Sequence, residues 1–355
     1  MYNQIYQYIL FKFFINKNKI KNEFPFLSVC ISVYNSENYI KKSIFSVINQ
    51  SFQDFEIIIV NDFSIDNTFS ILMKLQNEDN RIKIINHSKN LGTYHSRVEG
   101  VLNSKGIYIL FLDPDDMIFN PFLFEIFYHY YLIYNLDIIE FIVYYQEEEK
   151  KKIFYPVKHK LNHNHNFSKK ILYQPELSNI IYYKPRTKNY SSVICRTIWN
   201  KLFKKDLLLK TINYIGNDYY QNHYIIVIED TLLNIINFHF ANNYTNINII
   251  GYLYNIRKSS ITHLKEKSQY LIKKSISFFL YYQLFYRNIK EYDKDRNYLY
   301  YDLKLFGSYL LKLKKFNVKY YLEKAKNMFI KILSDNKTSI EFKNFIKYQY
   351  KILLK

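Results

Sequence analysis

Three carboxylates stand within four positions of this chain, Asp113, Asp115 and Asp116, with Pro114 between the first two. Charges this close raise one another's pKa unless something positive sits among them. Two arrangements relieve the repulsion: Arg or Lys side chains neutralise the group, or a divalent cation binds. Carboxylate oxygens suit the hard cations Mg2+ and Mn2+, and such a cation often takes its remaining oxygens from substrate phosphates. Pro114 stiffens the turn and separates Asp113 from Asp115, so the two can serve different partners. A second acidic pair, Glu229-Asp230, opens a helical pattern. On pattern alone it is either a catalytic base or a pair favoured by the helix macrodipole. Arg97, on another helical pattern, offers a structural counter-charge to the run at 113–116.

These residues need elements to position them. FLSVCISV (26–33), FEIIIV (55–60), IKII (82–85) and IYILFL (107–112) read as buried strands. Ile40, Ile44, Val47 and Ile48 mark a helix face after the first strand. Phe69, Leu72 and Met73 mark a second, with Asp66 as its cap. Tyr94, Val98, Val101 and Leu102 mark a third, and Gly106 lies just beyond its end. Apolar strands alternating with helices predict an α/β fold with a parallel sheet covered on both faces.

Ligands of such sheets bind outside the carboxyl ends of the strands. There the chain places Val33-Tyr34-Asn35-Ser36-Glu37, Asn61-Asp62-Phe63-Ser64, Asn90-Leu91-Gly92 and the acidic run. Ordinary turn and cap chemistry explains Ser36 and Asp66. It does not explain the three carboxylates.

After residue 145 the rhythm fails. A charged stretch, Glu147 to Lys152, leads into an Asn/His/Lys-rich segment reaching about residue 190. Helices are expected at about 196–210 and 229–240, and a strand at about 247–255. Trp199, Leu202 and Phe203 fall at helical spacing and read as core. Beyond residue 264 only helical periodicity remains. His159, His163 and His165 are spaced too loosely for a metal set and read as a solvated loop.

The segments VCISVYNSENYIKKSIFSVINQSFQDFEIIIVNDFSIDNT, NLGTYHSRVEG and GIYILFLDPDD together resemble the family 2 glycosyltransferases, which have the GT-A fold. WNKLFKKDLL, IEDTLLN and YLYNIRKSSIT follow in the family's order. The resemblance covers about 26–120 strongly and the later pieces more weakly. It does not cover residues 1–24 or the tail. It implies a GT-A type, Rossmann-like, mostly parallel sheet flanked by helices, with a C-terminal helical extension. The domains implied are an N-terminal amphipathic segment (1–24), a glycosyltransferase domain (25–262) and a helical region (263–355). Residues 25–120 form the nucleotide-binding half of that domain and 121–262 the acceptor half.

The resemblance also implies roles. Val33, Tyr34, Asn35 and Glu37 border the base and ribose. Asp62 matches the acidic residue that binds uracil, and Arg97 the basic residue near the nucleotide. Asp113 faces the ribose, Asp115 coordinates Mn2+ or Mg2+, and Asp116 braces the loop. Asp230 matches the catalytic base, and His263 is a weak match to a further metal ligand. Asn200 and Lys201 stand where the family shapes the acceptor side. Phe63 and Ile65 depart from the family's usual Gly and Thr, which bears on donor selectivity. The implied activity is inverting, metal-dependent transfer from a nucleoside-diphosphate sugar, with UDP as nucleotide, to a glycan, lipid or protein acceptor. The alternative is a degenerate nucleotide-sugar-binding or scaffold protein of the same fold.

Composition narrows the rest. The formal charge is +19, from 50 Lys+Arg against 31 Asp+Glu. Lys, Asn, Ile, Tyr and Phe all have A/T-rich codons, and the lysines are scattered, not striped. With no nucleic-acid-binding motif, a nucleic-acid partner is not expected. An aspartyl phosphotransferase would carry its acid after the first strand. A nucleotidyltransferase would carry a basic, Gly-rich loop after strand one, which VYNSEN lacks. Cys30 and Cys195 form neither a metal spacing nor a disulfide framework, so a cytoplasmic location is expected. No run approaches ~18 apolar residues. Tyr2, Ile5, Tyr6, Ile9, Leu10, Phe13 and Phe14 share a helical face, followed by Lys17, Lys19 and Lys21. That segment reads as a helix docked on the protein's own body, or as one lying peripherally on a membrane.

Overall fold

LSVCISV and FEIIIVN carry β-branched side chains on both faces, which suits strands covered from both sides. They form β1 (Leu27–Val33) and β2 (Phe55–Asn61), paired in parallel from Leu27/Phe55 to Val33/Asn61 and almost wholly buried. The computed structural model describes residues 24–147, 152–154, 171–173, 197–216 and 229–257, with isolated positions after residue 320. The expected N-terminal amphipathic helix, the histidines at 159, 163 and 165, His263 and the helical tail lie outside the described residues, save Phe24 and those isolated positions.

Beyond β1 and β2 the chain continues as expected for three further units. Helices α1 (Ile40–Ile48), α2 (Thr68–Glu78) and α3 (Thr93–Asn103) alternate with β3 (Ile82–Asn86) and β4 (Tyr108–Phe111). β3 runs parallel to β2, and β4 parallel to β1. Then come β5 (Met117–Ile118), α4 (Leu123–Tyr134), β6 (Ile138–Glu147), β7 (Lys152–Phe154) and β8 (Leu172–Tyr173). β9 (Lys201–Lys204), α5 (Lys205–Ile215), α6 (Glu229–Phe240) and β10 (Asn243–Ile256) complete the described elements. The sheet order is β3-β2-β1-β4-β9-β6-β10-β5, with β7 on β6 and β8 on β10. β9 is antiparallel to both β4 and β6, so β6 and β10 point the same way as β4. All their carboxyl ends therefore meet at one edge.

The helix expected at 196–210 is a correction. Lys201–Lys204 is a strand, and the helix begins only at Lys205. Trp199, Leu202 and Phe203 are indeed core. However, Leu202 and Phe203 are strand neighbours buried on opposite faces between β4 and β6, and two-sided burial mimics a helical face. Gly106 also has a different reason from the one expected. A Cβ there would stand 2.4 Å from the backbone nitrogen of Ser28, so the position requires glycine for close approach to β1.

Candidate active site

The loops after β1 and β2 are stitched to each other. Asn35 adopts a left-handed φ of 47°; its N–H donates to Ser64 Oγ at 3.0 Å, and its Oδ1 accepts from the Ile65 N–H at 2.9 Å. Ser36 N–H donates to Thr68 Oγ1 at 2.7 Å. Glu37 Oε2 accepts from the N–H and the side-chain amide of Asn67, at 2.9 and 2.8 Å. Asp66 accepts from the N–H of Glu37 and of Thr68, the first residue of α2. Val33 is buried and Tyr34 is half exposed at the mouth. These groups tie the two loops together at the sheet edge, where Glu37 acts as a brace.

Asp62 is buried. Its Oδ1 accepts from the Leu91 N–H at 2.7 Å and lies 2.8 Å from His87 Nδ1, while Oδ2 accepts from the Gly92 N–H at 2.8 Å. It thereby anchors the turn that enters α3, where Gly92 takes a φ of 93°. His87 Nε2 lies 2.7 Å from Glu99 Oε2. The hydrogen bond to Asp62 and the charge of Glu99 outweigh burial and lift the His87 pKa, whereas burial lowers that of His95.

Arg97, buried on α3, reaches carboxylates from distant parts of the chain. One guanidinium nitrogen donates to Asp113 Oδ1 at 2.9 Å; the other donates to Glu229 Oε1 at 2.9 Å and to Asp230 Oδ1. Burial pushes Glu229 up to about 7 against the pull of Arg97, and Asp230 shifts upward for the same reason, with Asp113 adding repulsion. Glu229 Oε2 is buried with no hydrogen-bond partner among the described residues.

The acidic run divides as its spacing allows. Asp116 turns inward: Tyr252 Oη–H donates to Oδ2 at 2.9 Å and the Asn255 N–H to Oδ1 at 2.8 Å. Burial, then repulsion from Asp113, raises its pKa well above the ordinary carboxylate range. Tyr252 is itself fixed by stacking on Trp199 at 4.8 Å. Asp115 points outward and pairs with Arg257, whose guanidinium lies over the Tyr39 ring at 3.9 Å. Thus guanidinium groups meet both outward carboxylates: Arg97 on Asp113 and Arg257 on Asp115. The side chains of Asp113 and Asp115 remain 28% and 24% exposed, and both present hard oxygen donors at the mouth. Of the two ways to relieve the repulsion, the structure shows arginine neutralisation; the Asp115 oxygens are of the kind that suits a hard divalent cation, which would have to displace Arg257 from that carboxylate.

Asn200 and Lys201, expected on the acceptor side, are buried instead. Lys201 Nζ donates to Thr197 O and Asn200 Oδ1 and stands 3.5 Å from Glu140. It braces the floor beneath the site, which its residue type alone did not signal. Arg257, Tyr252 and Asn255 were also not singled out. Tyr252 and Asn255 lie on β10 and Arg257 just beyond its end, all within the YLYNIRKSSIT segment and more than a hundred residues after the run they hold, and no local spacing marks their roles. Among the described residues, the one His/Cys/Asp/Glu cluster with ligand atoms close enough to share a metal is His87, His95 and Glu99.

The family model for glycosyl transferase family 2 matches residues 28–207, just over half of the chain. The chain belongs to glycosyl transferase family 2. Among curated relatives, the glycosyltransferase GlyA of Streptococcus pneumoniae is 29% identical over 241 residues, covering 67% of this chain and 32% of GlyA. A cholesterol galactosyltransferase of Borreliella burgdorferi is 28% identical over 230 residues, covering 63% of this chain and 61% of that protein. The chain thus spans about a third of the length of GlyA. Among solved structures, Staphylococcus aureus TarS in complex with UDP-GlcNAc superposes with a TM-score of 0.54 at 17% identity, covering 92% of this chain and 90% of that one. That likeness establishes a mixed, mostly parallel sheet flanked by helices of the GT-A type. No helix among the described residues is long and apolar enough to cross a membrane.

Proposed function

We propose that this family 2 protein transfers a sugar from a nucleoside diphosphate, with UDP as the nucleotide, to an acceptor hydroxyl with inversion. The observation that carries the reading is Arg97, which joins Asp113 of the nucleotide edge to the Glu229-Asp230 pair at the start of α6. Its contacts support the reading because they hold a carboxylate suited to base catalysis at the same sheet edge as Asp113.

In this reading Val33, Tyr34, Asn35 and Glu37 border the base and ribose, Asp62 reads uracil, and Asp113 faces the ribose. Asp230 takes the proton of the attacking hydroxyl at its carboxylate. Its upward shift brings it closer to a working pH than an ordinary aspartate. Arg97 holds that carboxylate in place. Asp115 holds Mn2+ or Mg2+, which when bound supplies Lewis-acid stabilisation of charge on the departing diphosphate. Support for UDP comes from TarS, whose structure holds UDP-GlcNAc. A second reading, nucleotide binding without transfer, draws on the Arg257 contact at Asp115.

UDP release from candidate donors, with and without Mn2+, tests both readings alongside UDP binding by calorimetry. Asp115→Asn is expected to abolish transfer and Mn2+-dependent UDP binding. Asp230→Asn is expected to abolish transfer and keep UDP binding. Equal loss of UDP affinity in the two variants contradicts these roles. Binding without turnover across all donors favours the second reading.

A further inference from the structure

We propose that His87, His95 and Glu99 form a separate metal site, for a transition metal of the Zn2+ class, beside Asp62 at the carboxyl ends of β2 and β3. His95 and Glu99 are four residues apart on α3 and so share a face. His87 closes on them from the end of β3. Glu99 Oε2 lies 2.7 Å from His87 Nε2 and 3.6 Å from His95 Nδ1, and the ligand atoms of all three lie within 4.8 Å of one another. Tetrahedral ligands at ~2.1 Å from zinc stand ~3.4 Å apart, so small side-chain shifts bring these three to ligating positions. Two imidazoles and one carboxylate, with water as the fourth ligand, form a donor set typical of zinc. Nitrogen donors favour Zn2+ and its neighbours over Mg2+ or Mn2+, which sets this site apart from the all-oxygen carboxylates at 113–116.

A further feature marks a site over a chance cluster. The second nitrogen of His87 is held by Asp62 Oδ1 at 2.8 Å. A carboxylate on the far nitrogen fixes the imidazole and aims its other nitrogen, here facing Glu99, as such carboxylate partners do for zinc-bound histidines. A proton shared by His87, Asp62 and Glu99 would account for the His87 contacts. The i, i+4 spacing on α3 then brings His95 Nδ1 to the same Glu99 oxygen, so three donors converge there. The side chains of His95 and Glu99 are 16% and 27% exposed, which leaves a solvent path for the ion. Since Asp62 also holds the Leu91 and Gly92 N–H groups, occupancy would fix the entry to α3, the helix that carries Arg97.

The test is titration of the full chain with Zn2+ alone against a chromophoric chelator, and with Co2+ followed by its visible absorption. The wild-type chain is expected to bind one equivalent tightly. His95→Ala and Glu99→Gln are each expected to weaken it about tenfold or more, and both substitutions fall at partly exposed positions that leave the core intact. Asp115→Asn and His163→Ala are expected to bind as wild type. Absence of a tight equivalent in the wild-type chain, equal binding by His95→Ala and wild type, or a loss that follows His163→Ala overturns the proposal. Asp115→Asn reports separately on the transferase reading, so the two can fail independently.

Discussion

Among the described residues, Arg97 is the one guanidinium that three carboxylates share. Its removal leaves Asp113, Glu229 and Asp230 facing one another with no cation between them. Breaking a buried ion network in this way costs about 3–5 kcal/mol. Arg97→Gln is therefore expected to lose stability of that order in urea denaturation. Arg97→Lys is expected to recover only part of it, because one ammonium nitrogen cannot span the positions of the two guanidinium nitrogens that hold Asp113 and the Glu229-Asp230 pair. The same network sets the pH dependence of the base. A carboxyl raised by burial becomes an effective base only above its elevated pKa. The kcat/KM profile is thus expected to lose activity on acidification at a pH above the ordinary carboxylate range near ~4. A limb at or below that range would remove Asp230 from the role. Phe63 offers a third test. It is nearly half exposed and holds a left-handed φ of 64°, which explains why glycine suits this position. Phe63→Gly is expected to stabilise the protein by about 1 kcal/mol, read from its thermal midpoint.

Among the elements, the junction between α3 and β4 is closely packed. Gly106 lies against the Ser28 backbone, and its N–H donates to Ser28 Oγ at 2.8 Å. Gly106→Ala must push β1 and the start of β4 apart, since two of the three nearest obstructing atoms, Ser28 N and Leu27 C, are backbone and cannot rotate away. A loss of roughly 2 kcal/mol or more is expected, against a few tenths for an alanine in open space. Gly216 supplies the contrasting case: a Cβ there meets nothing within 4 Å, and only its φ of 90° resists substitution. β9 teaches a related lesson. KLFK has no alternation because β4 flanks it on one side and β6 on the other, with cover on both faces. Its neighbours in space, and not its own pattern, make it a strand.

At the scale of the molecule, acid sensitivity has an identifiable source. Glu56 on β2 is buried, which alone would raise its pKa. The hydrogen bonds from Lys83, Ser28 and the Lys105 N–H outweigh that and hold it below the ordinary glutamate value. A depressed carboxyl contributes stability that is present above its unfolded pKa of ~4.3 and is lost as pH falls through the folded one. Glu56→Gln is expected to flatten the stability curve over that acidic range while lowering stability at neutral pH. An unchanged acid slope would place the sensitivity elsewhere. The sequence alone determined the alternation of apolar strands and helices from residue 26, the strand-end position of the acidic run, and the ordered motifs of the family. Those are local patterns: burial on both faces writes itself into consecutive residues, and turn chemistry into the residues that follow. The tertiary structure alone decided how the charges pair. It brought Glu229 and Asp230 onto the Arg97 that was expected to meet the acidic run, gave Asp116 its brace in Tyr252, laid Arg257 on Asp115, and gathered His87, His95 and Glu99 behind Asp62. A charge carries no mark in the sequence of the partner it will meet, because that partner arrives from another strand only once the sheet has closed.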